Sequence, residues 1–157
     1  MKRTSIITVG KIKTAHWQAA AEHYRKRLGK YLALDESQVK DADSSLPLMS
    51  RMEQEGERLL KAAAKKKGAS CLICLDENGA SLTSASFALF LQKLHEAGRS
   101  PCFIIGGAYG LAPQVLDAAH ERICLGAMTF THEMALVLLL EQLYRAENII
   151  GGTGYHH

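Results

Sequence analysis

Glu141 and Arg145 stand one helical turn apart in Met134-Ala135-Leu136-Val137-Leu138-Leu139-Leu140-Glu141-Gln142-Leu143-Tyr144-Arg145, a run apolar almost all the way round. At that spacing a carboxylate and a guanidinium can pair, either as a surface or interface salt bridge or as a charged pair facing a substrate where two subunits meet. Gly106-Gly107-Ala108-Tyr109-Gly110-Leu111 follows an apolar run, and its glycines would let backbone amides approach a ligand closely. It is neither G-x-G-x-x-G nor a Gly-Lys-Ser/Thr loop, so neither a dinucleotide nor a nucleoside triphosphate is supported. A tight strand-to-helix turn and a ligand loop are equally good readings. Gly126-Ala127-Met128-Thr129-Phe130-Thr131 is too apolar for an ordinary exposed loop and suits the wall of an apolar pocket. Thr129 or Thr131 can cap the helix that follows, and Glu133 complements its dipole. The chain ends Gly151-Gly152-Thr153-Gly154-Tyr155-His156-His157, a frayed terminus by default or a tail that orders over a bound substrate.

Cys71, Cys74, Cys102 and Cys124 invite a metal reading because the first pair is spaced C-x-x-C. That pair lies in an apolar run that reads as a buried strand, where residues three apart point to opposite faces and cannot grip one ion. All four read as small apolar residues of a reducing compartment, and no metal is expected.

Placing these groups requires strands and helices in alternation. The composition and glycine stops predict strands over residues 5–9, 31–39, 71–75, 102–105 and 122–125. Helices are expected over 15–28, 48–67, 84–97, 113–120 and 132–148, with a turn at Glu77-Asn78-Gly79. The order implies an α/β fold, a mostly parallel sheet with helices on both faces, and ligands beyond the carboxyl ends of the strands. The last helix has more apolar surface than one small chain can cover, which implies a homodimer.

With 157 residues, 47% of them apolar and 22% charged, residues 1–157 are expected to form a single domain with its own core. No run approaches membrane-spanning length and no secretion signal opens the chain, so a cytoplasmic protein without membrane association is expected. The net charge of +3 hides an asymmetry. Residues 1–68 hold 15 Lys and Arg against 8 Asp and Glu, whereas residues 69–157 hold 4 against 8. A solvated helix face explains any single lysine; the imbalance as a whole suits a polyanion.

Taken in order, Val9-Gly10-Lys11, Glu55-Gly56-Glu57, Leu75-Asp76, Phe103-Ile104-Ile105-Gly106-Gly107 with Gly110-Leu111, Thr129 with His132, Glu141-Gln142-Leu143-Tyr144-Arg145-Ala146 and Tyr155-His156 resemble the RlmH family of bacterial SPOUT-class methyltransferases. The resemblance spans essentially the whole chain. It implies an S-adenosylmethionine-dependent enzyme that methylates N3 of a pseudouridine in 23S rRNA on the assembled ribosome. It also implies a homodimer and a SPOUT-type α/β knot with a C-terminal trefoil knot, an exception to the rule that chains avoid knots.

Carried over residue by residue, the resemblance places the cofactor against Leu75, Gly107, Gly126, Ala127, Met128, Thr129, Phe130 and Thr131, the last standing where relatives often have Pro. It casts His156 as a base and Arg145 as the stabiliser of anionic charge, with Glu141 orienting Arg145 and Tyr155 meeting the target base. Lys11, Lys13, Arg25, Lys26, Arg27 and Lys30 would then contact rRNA phosphates. His157 stands where many relatives end in Lys or Arg, and could reach a phosphate as a cation only when protonated. DNA is not an expected partner. Two rivals are a SPOUT enzyme acting on another RNA such as tRNA, and a ribosome-binding factor without catalysis.

Overall fold

The computed structural model describes residues 1–156. Its elements alternate as the composition predicts: β1 (Lys2–Val9), α1 (Ala15–Leu28), β2 (Leu32–Val39), α2 (Leu48–Ala64), β3 (Ala69–Ser81), α3 (Ser84–Glu96), β4 (Ser100–Ile105), α4 (Pro113–Ala118), β5 (Glu121–Cys124) and α5 (His132–Ile150). The five strands form one sheet in the order β2-β1-β4-β3-β5, with every neighbouring pair parallel. A parallel sheet needs cover on both faces. Here α1, α3 and α5 cover one face, where Ile6, Ile73 and Phe103 meet Leu28, Leu91 and Leu139. Helices α2 and α4 cover the other, where Ile7, Cys74 and Ile104 meet Leu59 and Val115. Successive strand residues therefore feed opposite cores, and β4 reads as a continuous apolar run from Pro101 because both of its faces are buried, while β1 is buried from Thr4 to Val9.

The same alternation places Cys71 in one core and Cys74 in the other. Burial pushes the Cys74 and Cys102 thiols up to about 11, so both stay protonated and inert. No cluster of three or more metal-ligating side chains occurs among the described residues, and no described helix is long and apolar enough to cross a membrane. Pro101 lies inside β4, where its missing N–H would cost a ladder bond. The β3–β4 register shifts between Ala69 and Cys71 opposite it, which accommodates the loss.

Several expected boundaries move by one to three residues; β1 begins at Lys2 rather than at residue 5. Helix α2 stops at Ala64 rather than at residue 67. The larger correction concerns Glu77-Asn78-Gly79, expected as a turn, which lies inside a β3 that continues to Ser81. Ile123 pairs with Leu75 and also with Ala80. One strand residue has a ladder partner on each edge, so the chain between Leu75 and Ala80 passes from one edge of β5 to the other. A Cβ at Gly79 would lie 2.6 Å from the Ile123 nitrogen and 2.8 Å from the Arg122 carbonyl oxygen. Only glycine fits at so close a crossing. This wrap is consistent with the C-terminal trefoil knot that the resemblance implies.

Candidate active site

The stretch of β3 from Leu75 to Asn78 and the loops that leave β4 and β5 enclose a cavity of about 510 Å³. Leu75, Leu111 and Leu125 supply its apolar wall, while Gly106, Gly107 and Gly126 bring main chain to its surface. A Cβ on Gly106 would sit 2.8 Å from the Gly110 carbonyl oxygen, and Gly110 itself has φ +82°, so the glycine loop is a tight turn as well as a cavity wall. Of the residues expected at a cofactor, Leu75, Gly107, Gly126, Met128, Thr129 and Phe130 line this cavity. Ala127 is exposed beside it, and Thr131 instead caps α5, its Oγ1 accepting from the Met134 N–H at 3.3 Å. Glu77 accepts a hydrogen bond of 3.1 Å from the Thr129 hydroxyl, which ties the β3 wrap to the loop after β5 across the mouth. That tie was not foreseen, because nothing local marks Glu77 as a partner of Thr129.

The second half of the site is a polar network on α5. Glu141 Oε1 accepts from Arg145 Nε at 3.0 Å and Nη2 at 2.5 Å, and from the Tyr155 hydroxyl at 3.4 Å. Its Oε2 accepts from Gln142 at 2.7 Å, and Gln142 in turn accepts from Ser84 at 2.7 Å. The guanidinium lies 4.9 Å from the Tyr155 ring centroid and 3.4 Å from His156 Nδ1. An arginine only donates, so in that contact Nδ1 accepts and the ring proton sits on Nε2. The four residues expected to act together, Glu141, Arg145, Tyr155 and His156, do converge. The hydrogen bonds to Glu141 raise the Arg145 pKa above its ordinary value. Burial, reinforced by the Glu141 charge, raises that of the Tyr155 phenol and keeps it neutral. His157 lies outside the described residues.

What folds the tail back is Asn148, a residue without any expected role. It is 3% exposed; its Oδ1 accepts from the Thr153 hydroxyl at 2.5 Å and from Tyr31 at 3.4 Å, and its Nδ2 donates to the Tyr144 carbonyl at 2.7 Å. The Thr153 N–H also bonds the Asn148 carbonyl at 2.9 Å. Tyr144 then meets Tyr155 edge-on at 4.7 Å.

The expected basic face divides in two. Lys11 and Lys13 line a groove of about 720 Å³ with Gln38 and Lys40, at the carboxyl end of the sheet beside the cavity. Arg25, Lys26, Arg27 and Lys30 lie at the far end of α1, which spans about 20 Å. Arg25 is engaged by Glu36 through bonds of 2.6 and 3.0 Å, and Arg27 stacks on Tyr144 at 5.7 Å, beside the polar network. These six residues are therefore two groups, each attached to one half of the site.

The family model described as "Predicted SPOUT methyltransferase" matches residues 1–156. The chain belongs to the SPOUT methyltransferase family. A relative from Oleidesulfovibrio alaskensis named "Ribosomal RNA large subunit methyltransferase H" is 48% identical over 158 residues and covers 100% of both chains. A protein of the same name from Lawsonia intracellularis is 43% identical, over 99% of this chain and 98% of its own length. Among solved structures, a probable methyltransferase from Bordetella pertussis Tohama I aligns with a TM-score of 0.54 at 11% identity, over 92% of this chain and 96% of its own. A probable methylase family protein from Haemophilus influenzae gives 0.57 at 14%, over 95% and 66%. At such identities the likeness concerns the fold alone.

Asn148 thereby sets where Tyr155 and His156 lie against Arg145 and Glu141. Asn148→Ala is expected to release residues 153–156 to limited proteolysis and to slow single-turnover methyl transfer roughly 10- to 100-fold. Cofactor binding, measured by calorimetry, should stay unchanged.

Proposed function

We propose that this SPOUT methyltransferase uses S-adenosylmethionine to methylate N3 of a pseudouridine in 23S rRNA on the assembled ribosome, as a cytoplasmic homodimer. The observation that carries the reading is full-length identity of 48% to a protein named for methylation of large-subunit ribosomal RNA, in a chain where Glu141, Arg145, Tyr155 and His156 come together.

The residues present fit the cofactor. A cavity of about 510 Å³ has the size and apolar lining of a small-molecule site, and Asp76 and Glu77 place negative charge where a sulfonium would need it. Main chain at Gly107 and Gly126 would meet the polar edges of the nucleoside, with Leu75, Met128 and Phe130 as walls and Thr129 at the mouth. When bound, S-adenosylmethionine supplies a methyl group already activated for transfer. This chain's part is in-line positioning and handling the proton and charge at N3. Arg145, held by Glu141, stabilises negative charge on the uracil ring. Tyr155 stacks on or bonds to the base. His156 takes the N3 proton at Nδ1 once its contact with Arg145 is released.

Dimerisation is supported by the separation of the two halves. His132 and Ala135 line the cavity, while Glu141 and Arg145 are six and ten residues beyond Ala135, about 9 and 15 Å along the helix. Methyl transfer needs contact distances, so one protomer's network would serve its partner's cavity. Met134, Val137 and Leu138 remain half-buried on α5, apolar surface that a second copy would cover.

Ribosome binding should be steeply salt-dependent. Lys11→Ala, Lys13→Ala, Lys26→Ala and Lys30→Ala are each expected to lower the log–log slope by roughly 0.7 to 0.9. Arg25→Ala should change it less, because Glu36 already neutralises that guanidinium. A slope near zero for the unmodified protein would remove the phosphate role. The reading as a whole is tested by transfer of labelled methyl to ribosomes from a strain lacking the modification, beside isolated 23S rRNA and tRNA. Label on tRNA alone, or absence of affinity for S-adenosylmethionine, would overturn it.

A further inference from the structure

We propose that Tyr109, backed by Arg51, is a stacking platform for one unpaired nucleobase of the RNA at the rim of the cofactor cavity, an inference that rests on the RNA-methyltransferase reading above. Tyr109 is 57% exposed, one of few large apolar surfaces left open in the chain. It is carried outward on a turn with little freedom: Gly107 and Gly110 form an isolated bridge, and the Gly110 N–H bonds the Gly107 carbonyl at 3.1 Å. Arg51, in the first turn of α2, places its guanidinium 5.0 Å from the ring centroid. Its Nε is buried without a hydrogen-bond partner among the described residues, and the Asp43 carboxylate lies near enough to interact with its charge.

The arrangement suits a base. Every nucleobase has a π-face that stacks on an aromatic ring, and a guanidinium behind that ring adds a cation without reading sequence. The surroundings point to RNA rather than to another aromatic ligand. Tyr109 is at the rim of the cavity, whose mouth also holds Met128 and Thr129, and the groove lined by Lys11, Lys13 and Lys40 opens at the same carboxyl end of the sheet. A strand with phosphates along that groove would bring its bases to the rim. The cofactor's adenine has a better seat inside, against Leu75, Leu111 and Leu125.

The test measures three affinities separately. Tyr109→Ala is expected to weaken binding of a fluorescein-labelled uridine hexamer, and to raise KM for ribosomes, by roughly 5- to 150-fold, with kcat moving less. Calorimetry should give an unchanged Kd for S-adenosylmethionine, which also shows that the variant is folded. Tyr109→Phe, which keeps the ring, should recover most of the loss, and Arg51→Ala should show a smaller one. Unchanged hexamer binding in Tyr109→Ala would overturn the proposal. So would an equal loss of cofactor affinity, which would reassign the ring to adenine. The hexamer titration needs no methyl transfer. A protein that labels no ribosomes but loses hexamer binding with Tyr109→Ala would refute the substrate reading and leave the platform standing.

Discussion

Arg145→Ala is expected to lower single-turnover methylation of ribosomes by roughly 10²- to 10³-fold, the usual cost of removing one preorganised charge stabiliser. Three features make this side chain the most consequential in the network. It holds both the Glu141 carboxylate and His156, and it covers one face of Tyr155. Its removal therefore deletes a cation and also frees the groups that it orients. The loss should fall on the chemical step, so rapid-quench measurement at saturating cofactor and ribosomes should show it undiminished. Affinity for S-adenosylmethionine should not change, because Arg145 is about 15 Å along α5 from Ala135, the nearest residue of that helix in the cavity of its own chain. Arg145→Lys should recover little, since an ammonium cannot reproduce the two bonds to Glu141. The double variant Arg145→Ala with His156→Ala tests the network as a unit. Unchanged single-turnover rates in it would refute the assignment.

The second large effect is expected away from the chemistry. Gly79→Ala should destabilise the protein by about 3 kcal/mol or more, the upper range for overpacking. A Cβ there meets the main chain of Arg122 and Ile123 at 2.6 to 2.8 Å, and backbone has no rotamer through which to give way. For a chain of this size that loss corresponds to a fall in Tm of roughly 6 to 12 °C. Cofactor affinity should fall with it, because the same crossing sets Leu75 and Leu125 on opposite sides of one cavity. Gly154→Ala is the control. A Cβ there meets nothing within 4 Å, and Tm should stay put. Equal melting temperatures for the two variants would show that β5 can yield at the crossing.

The layered parallel sheet was legible in the chain because its signals are local. Apolar runs with both faces buried, such as 102–105, announce inner strands, and glycines stop helices. The segment after β5 was legible as a cavity wall for a related reason: it is apolar where a strand ends, and exposed loops are not, whereas the glycine loop read equally well as a tight turn. The convergence of Glu141 with Arg145 follows from helical spacing. The fold-back of Tyr155 and His156 does not. It depends on Asn148 gripping Thr153 across a glycine pair, and neither residue carries a signal until the turn exists. The Asn78-Gly79 pair misled because its turn preference is local, whereas the pairing of Ala80 with Ile123 joins residues far apart in sequence and prevails. Likewise, charge counting found the basic residues of α1 but could not see that Glu36, across the α1–β2 connection, occupies Arg25.

The passage of β3 around β5 also bears on how the molecule is made. Residues 76–81 leave the translating ribosome before β5 exists, yet their native place is defined by that strand. This edge of the sheet therefore cannot close before residues 121–124 have emerged. Such late, long-range closure is the slow kind. Prematurely ended products that stop before β5 would lack the strand that carries the cavity's far wall, so they could not sequester the methyl donor.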